Sequence, residues 1–125
     1  MITVVDDDQS ARDGIVDLVN SRGFDVEAFK CAEDLLNSAR VETTRCLITD
    51  MRLPGMTGLD LHERLVASGR AVSTIIITAF PQDADRERAE KAGVICYLKK
   101  PFDEDDLVAC ILSALGSSFA GRRKS

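Results

Sequence analysis

Five short apolar runs, each closing on a polar or charged residue and each followed by a polar loop or a helix-periodic segment, constrain this chain more than any other feature. The runs are residues 2–5, 24–29, 46–48, 73–78 and 94–98. Four are continuously apolar, as strands buried on both faces are; the second alternates, with Asp25 and Glu27 between Phe24, Val26 and Ala28, as an edge strand with one wet face does. Between them apolar residues recur at helical spacing. The first such segment, 10–22, carries Ala11, Ile15, Leu18 and Val19, and Gly23 closes it. The others are 32–39 with Leu35 and Leu36, 59–68 with Leu61, Leu65 and Val66, and 83–92 with only Ala84, Ala89 and Ala92 to turn inward. Asp103 is placed to cap a last helix bearing Leu107, Val108, Ile111, Leu112 and Leu115. Strand and helix alternating in this way predict an α/β fold, a doubly wound five-stranded parallel sheet. The strand order 2-1-3-4-5, flavodoxin-like, puts the alternating second run at an edge and the first and third side by side at the switch point, where such sheets bind ligands.

The 125 residues suffice for one domain, expected over 1–116, with 117–125 as a tail or the start of a linker, since Gly116-Ser117-Ser118 leads into Arg122-Arg123-Lys124. A net charge of −5 argues against this domain gripping nucleic acid by itself. No apolar run is long enough to span a bilayer and no basic-then-apolar leader opens the chain, so a cytoplasmic location without membrane contact is expected. Cys31, Cys46, Cys96 and Cys110 lack the C-x-x-C spacing of metal or redox sites and read as free, mostly buried thiols. His62, the single histidine, has charged neighbours and reads as a surface residue.

The chemistry gathers at the strand ends. The first run exits into Asp6-Asp7-Asp8, and the third exits through Thr49 into Asp50 just before the Pro54-Gly55 loop. Carboxylates brought within roughly 5 Å repel by about 3 kcal/mol per pair at an effective dielectric near 20. Such a group keeps a proton or binds a cation, and an all-oxygen donor set suits Mg²⁺. Capping of the following helix is the simpler use of Asp6 to Asp8. Thr78, ending the fourth run, and Lys100, just after the fifth, add a hydroxyl and an ammonium at the same sheet edge. Acid cluster, hydroxyl and ammonium around one carboxylate form a site for receiving a phosphoryl group, with Asp50 attacking phosphorus.

From Ile2 to Leu115 the chain resembles the receiver domain of bacterial response regulators in Val4-Val5-Asp6-Asp7-Asp8, Thr49-Asp50-Met51-Arg52-Leu53-Pro54-Gly55-Met56-Thr57-Gly58, Thr78-Ala79 and Tyr97-Leu98-Lys99-Lys100-Pro101-Phe102. The resemblance implies a receiver fold and a two-component signalling domain that catalyses its own phosphotransfer and slow autodephosphorylation, rather than an enzyme acting on other substrates. It implies Asp50 as the phosphoacceptor, loaded from the phosphohistidine of a sensor histidine kinase. Asp7, Asp50 and the Arg52 carbonyl are then direct Mg²⁺ ligands, and Asp6 acts through a bound water. Thr78 and Lys100 hold the phosphoryl group, Tyr97 is the aromatic residue that follows Thr78, and the Lys100–Pro101 peptide is cis. Cys31 stands where such domains often carry a Ser or Thr cap. Phe80 lies beside the path of a hydrolytic water. Gly55-Met56-Thr57-Gly58 and the Phe80-Pro81 loop are similar to regulators carrying a helix-turn-helix output domain, so DNA contact through a further domain, transcriptional output, and a phosphorylation-dependent homodimer through the fourth helix, fifth strand and fifth helix are expectations. Asp6-x-Asp8 followed by Ser10 also resembles the nucleophile loop of haloacid-dehalogenase-type phosphatases, which leaves the Asp50 loop without a role. A third reading is a receiver fold serving as an unphosphorylated scaffold.

Overall fold

The computed structural model describes the backbone of residues 1–123 and the side chains of residues 1–116. In chain order the elements are β1 (Ile2–Val5), α1 (Gln9–Ser21), β2 (Val26–Phe29), α2 (Ala32–Leu36), a 3₁₀ helix (Ala39–Thr43), β3 (Cys46–Asp50), α3 (Gly58–Ala67), β4 (Ser73–Thr78), α4 (Asp83–Lys91), β5 (Cys96–Lys99) and α5 (Glu104–Arg123). The strands form one parallel sheet in the order β2-β1-β3-β4-β5, as expected.

The period of two along each strand divides the core into two layers. Ile2 and Val4 of β1, Ile48 of β3, and Ile75 and Ile77 of β4 pack with Ile15, Leu18 and Val19 of α1 and with Leu107, Ile111 and Ala114 of α5. On the other face Val5 and Leu47 meet Ala32, Leu35, Leu61 and Leu65 of α2 and α3, while Ile76 meets Met51, Leu59 and Ala89. Parallel strands carry helices on both faces, and the polar edge of the sheet is left to the loops at the strands' C-terminal ends.

Several expectations are corrected. The segment 32–39 ends its α-helix at Leu36, and the polar connection expected after it winds into the 3₁₀ helix, which buries Val41. Ala84, expected inward, is exposed, and Ala89 is the buried residue of α4; at 3.6 residues per turn, five positions set the two about 140° apart. Val66 and Leu112 are likewise exposed, each one position beyond the stripe its helix buries. α5 continues to Arg123, past the last stripe residue Leu115, and Lys124 and Ser125 lie outside the described residues.

Cys96 and Cys110 are not free thiols but a disulfide joining β5 to α5. Although 14 residues apart in sequence, they face each other with Cα atoms 6.2 Å apart, within disulfide reach. Cys46 is free and buried, and burial pushes its thiol up to about 12, so it stays protonated. Cys31 precedes α2 and makes no side-chain cap bond.

His62 is not at the surface. It is 2% exposed, with Nδ1 2.7 Å from Thr74 Oγ1 of β4 and Nε2 2.7 Å from the carbonyl oxygen of Ala92 at the end of α4. Because a carbonyl can only accept, Nε2 carries a proton. The small alanine face of α4 leaves room beside α3, and an imidazole fills it with bonds instead of apolar bulk. His62→Leu should leave the Thr74 hydroxyl and the Ala92 carbonyl without this partner and cost about 2–4 kcal/mol of folding free energy. Urea unfolding checks this, and a loss below half of one kcal/mol would remove His62 from the structural frame.

Candidate functional site: an acidic pocket at the strand ends

The site forms where β1, β3, β4 and β5 all stop. β1 and β3 are hydrogen-bonded neighbours in register, Val5 opposite Thr49, so the residues that follow, Asp6 just past β1 and Asp50 ending β3, stand side by side at the same edge. Single carboxylate oxygens of Asp6, Asp7 and Asp50 all lie within 4.8 Å of one another. Asp6 is buried, Asp50 half-buried and Asp7 exposed, so the cluster grades from the sheet outward to solvent. The donors are all oxygen, and one wall faces water, which fits a hard cation that keeps part of its hydration shell.

Local bonds hold each acid. Asp6 Oδ1 accepts the Asp8 backbone N–H at 2.9 Å, and the Asp6 carbonyl accepts from Arg12 at 2.7 Å. Asp8 is the one member of the acidic run that caps α1, accepting the Ser10 N–H at 3.1 Å. The capping reading is therefore right for Asp8 and leaves Asp6 and Asp7 for the pocket. Asp50 Oδ1 accepts the Arg52 N–H at 3.1 Å, which turns the chain back immediately after β3 and brings the Arg52 backbone beside the pocket.

Lys100 supplies the opposing charge. Its Nζ stands 3.1 Å from Asp6 Oδ2 and 3.0 Å from Asp50 Oδ2, one ammonium shared by two carboxylates. The preceding strand delivers it: the Lys100 N–H donates to the Thr78 carbonyl at 2.8 Å, and the Lys100–Pro101 peptide is cis, as the resemblance implies. Burial depresses Lys100, but its bonds to Asp50 and Asp6 outweigh this and hold it above its ordinary value. Burial raises the Asp6 carboxyl, only partly offset by the Asp8 N–H and by Lys100.

Thr78 is buried at the end of β4, and its Oγ1 accepts the Phe80 N–H at 3.2 Å. With the oxygen so engaged, the hydroxyl proton is the free end. Phe80 is 73% exposed, so its ring stands in solvent instead of packing into the pocket. Tyr97 pairs with Ile76 in the β4–β5 ladder, and alternation puts it on the same sheet face as Thr78. Its hydroxyl is buried. The ring is thus turned inward with its hydroxyl out of water while Thr78 Oγ1 accepts the Phe80 N–H.

Gly58 carries a constraint of shape that its place in the motif does not reveal. The loop after Asp50 returns so closely, with the Gly58 N–H donating to the Met51 carbonyl at 2.8 Å, that a Cβ on Gly58 would run into the Asp50 carbonyl and the Thr49 side chain. Thr57 then starts α3 with a capping box, its Oγ1 accepting from Asp60 N at 3.0 Å while Asp60 accepts from Thr57 N at 3.1 Å. The Thr57-Gly58-x-Asp60 pattern is the signal that could have marked this return.

Comparison with known proteins identifies the family. Residues 2–112 match the response regulator receiver domain family. The chain is 36% identical to the response regulator protein TmoT of Ectopseudomonas mendocina over 92% of its own length and 52% of that protein. It is 34% identical to the transcriptional regulatory protein FixJ of Bradyrhizobium diazoefficiens over 91% of its length and 56% of that protein. Among solved structures, the response regulator StyR is 43% identical with a TM-score of 0.83, covering 98% of this chain and 62% of that one. This chain belongs to the response regulator receiver domain family, a class of signalling domain. It spans about half the length of the curated relatives it matches. Among the described residues no helix is long and apolar enough to cross a membrane.

Because the folded-state value of Asp6 lies above the ordinary 3.8, ionising it costs stability: the contribution is whole below pH 3.8 and is lost as pH rises through the folded value. In metal-free buffer Asp6→Asn should therefore melt higher than the wild type at pH 7 and lose that advantage below pH 3.8. A variant melting lower at pH 7 would mean that the bond to Lys100 outweighs the cost of burial.

Proposed function

We propose that Asp50 is the phosphoacceptor of a two-component response regulator and takes its phosphoryl group from the phosphohistidine of a sensor histidine kinase. The observation that carries this reading is the Lys100 ammonium shared between Asp6 and Asp50 at the mouth of the sheet. An Asp50 oxygen bonds to phosphorus as the phosphorus–nitrogen bond breaks, and the bonding pair stays with the imidazole nitrogen. Lys100 then faces a phosphoryl oxygen, and the Thr78 hydroxyl, whose oxygen is already occupied, donates its proton to another. Asp6, Asp7, Asp50 and the Arg52 carbonyl are the residues that would hold Mg²⁺, which when bound neutralises phosphoryl charge. Asp6 suits the nucleophile role less, because it is 1% exposed and is held by the Asp8 N–H and by Lys100.

The domain spans 1–116 in this reading, residues 117–125 lead toward an output module, and the protein acts in the cytoplasm. The length of the relatives, one of them named a transcriptional regulatory protein, supports an output in transcription, with any DNA contact made by that further module. Acetyl phosphate with Mg²⁺ should add one phosphoryl group by intact mass, at Asp50 by peptide mapping, and Asp50→Asn should lose the adduct while still folding. The same samples followed over time should show slow decay, since the residue two places beyond Thr78 is Phe80, whose side chain supplies no base to activate water. An adduct on Asp6 instead would transfer the nucleophile role there and defeat the proposal.

Phosphorylation adds charge and strong acceptors at Asp50, and α4 is the element with least packing to resist a shift. Exposed Ile95 and Leu112 flank β5 and α5, which supports a phosphorylation-dependent homodimer through α4, β5 and α5. The charges of α4 add little to this face, because Arg88 faces Glu63 at 3.6 Å and Arg86 lies over Tyr97. Sedimentation should show dimer on adding beryllofluoride and Mg²⁺, weakened about tenfold or more by Leu112→Glu. A monomer under both conditions would rule the dimer out.

A further inference from the structure

The Arg86 side chain of α4 places Cζ 5.2 Å from the centre of the Tyr97 ring. Beneath the ring lie Met51, Leu59, Ile76 and Ala89. The Tyr97 hydroxyl is buried, and no hydrogen-bond partner reaches it among the described residues. A phenol in that position gives up its bond to water, so something must hold the ring against the pull of solvent. α4 supplies little apolar cover, since Ala89 is its buried residue. Arg86 sits one turn before Ala89 and provides what α4 otherwise lacks, an aliphatic stem and a flat cation laid on the aromatic face.

We propose that Arg86 is a positioning residue for the phosphorylation switch: its guanidinium latches Tyr97 inward and so couples α4 to the Thr78 end of the pocket. Tyr97 and Thr78 share one face of the β4–β5 ladder, and Ile76, the strand partner of Tyr97, lies two residues before Thr78, so a contact that fixes the ring acts beside the Thr78 end of the strand. A group that favours the inward ring favours whatever bound state requires it, by linkage. This rests on the reading of Asp50 as phosphoacceptor.

The chain offers a probe of its own, for it contains one tyrosine and no tryptophan, so its tyrosine emission comes from Tyr97 alone. Acrylamide quenching of that emission is to be measured in the full chain for the wild type, Arg86→Met, which keeps the stem without the cation, and Arg86→Lys, which keeps a cation. Beryllofluoride affinity in Mg²⁺ is measured beside it by a method blind to the ring, ¹⁹F resonance. Arg86→Met should raise the quenching constant and weaken beryllofluoride binding, each by roughly twofold to fivefold, and Arg86→Lys should restore most of both. Quenching unchanged in Arg86→Met overturns the latch. Increased quenching with unchanged affinity overturns the coupling to the pocket. Failure of the wild type itself to bind beryllofluoride is the failure of the phosphoacceptor reading, and the quenching comparison, which involves no beryllofluoride, separates it from failure of the latch.

Discussion

The ammonium of Lys100, held 3.1 Å from Asp6 and 3.0 Å from Asp50, is the interaction on which this site depends. Three carboxylates gathered at one sheet edge repel each other, and two of them are partly or wholly out of water. A single cation bonded to both makes the gathering tolerable, and the two carboxylates together outweigh the burial that lowers Lys100. The bond spans β1, β3 and the turn after β5, so it also closes the mouth of the sheet. Folding brings together charges that no local stretch of the chain would keep adjacent.

The rest of the fold serves that edge. Parallel strands buried on both faces can end only in loops at a common side, and the neighbouring of β1 and β3 sets the acids of two distant segments beside each other. The other flank is built more lightly. α4 leans on the sheet through Ala89, is tied to α3 and β4 by His62, and lays Arg86 over Tyr97. A helix held by a few polar and cationic contacts in place of a broad apolar face can shift without exposing a core. Such freedom would suit the conformational switch proposed above.

The pocket is legible in the sequence because its residues close the strands. Asp6, Asp50, Thr78 and Lys100 each end or follow an apolar run, and once the runs are parallel their ends must meet. The misreadings share a different cause. His62 has charged neighbours along the chain, yet α3 is buried through a wide arc where α4 is narrow, and that width belongs to the pair of helices. The Cys96–Cys110 bond carries no signature in spacing because its closeness comes from β5 packing on α5. Arg86 looks like any charge on a polar helix until Tyr97 is beneath it.

By itself, then, the sequence determined the alternation of strand and helix, the sheet edge on which the chemistry would gather, and the residues that supply it, because strand burial, helical period and the placement of polar residues at strand exits are properties of short segments. Only the tertiary structure decided which polar side chains turn inward, which acid caps a helix and which joins the pocket, and which cysteines bond. Those outcomes depend on the space between elements distant in the chain, and no local pattern of residues encodes the size of that space.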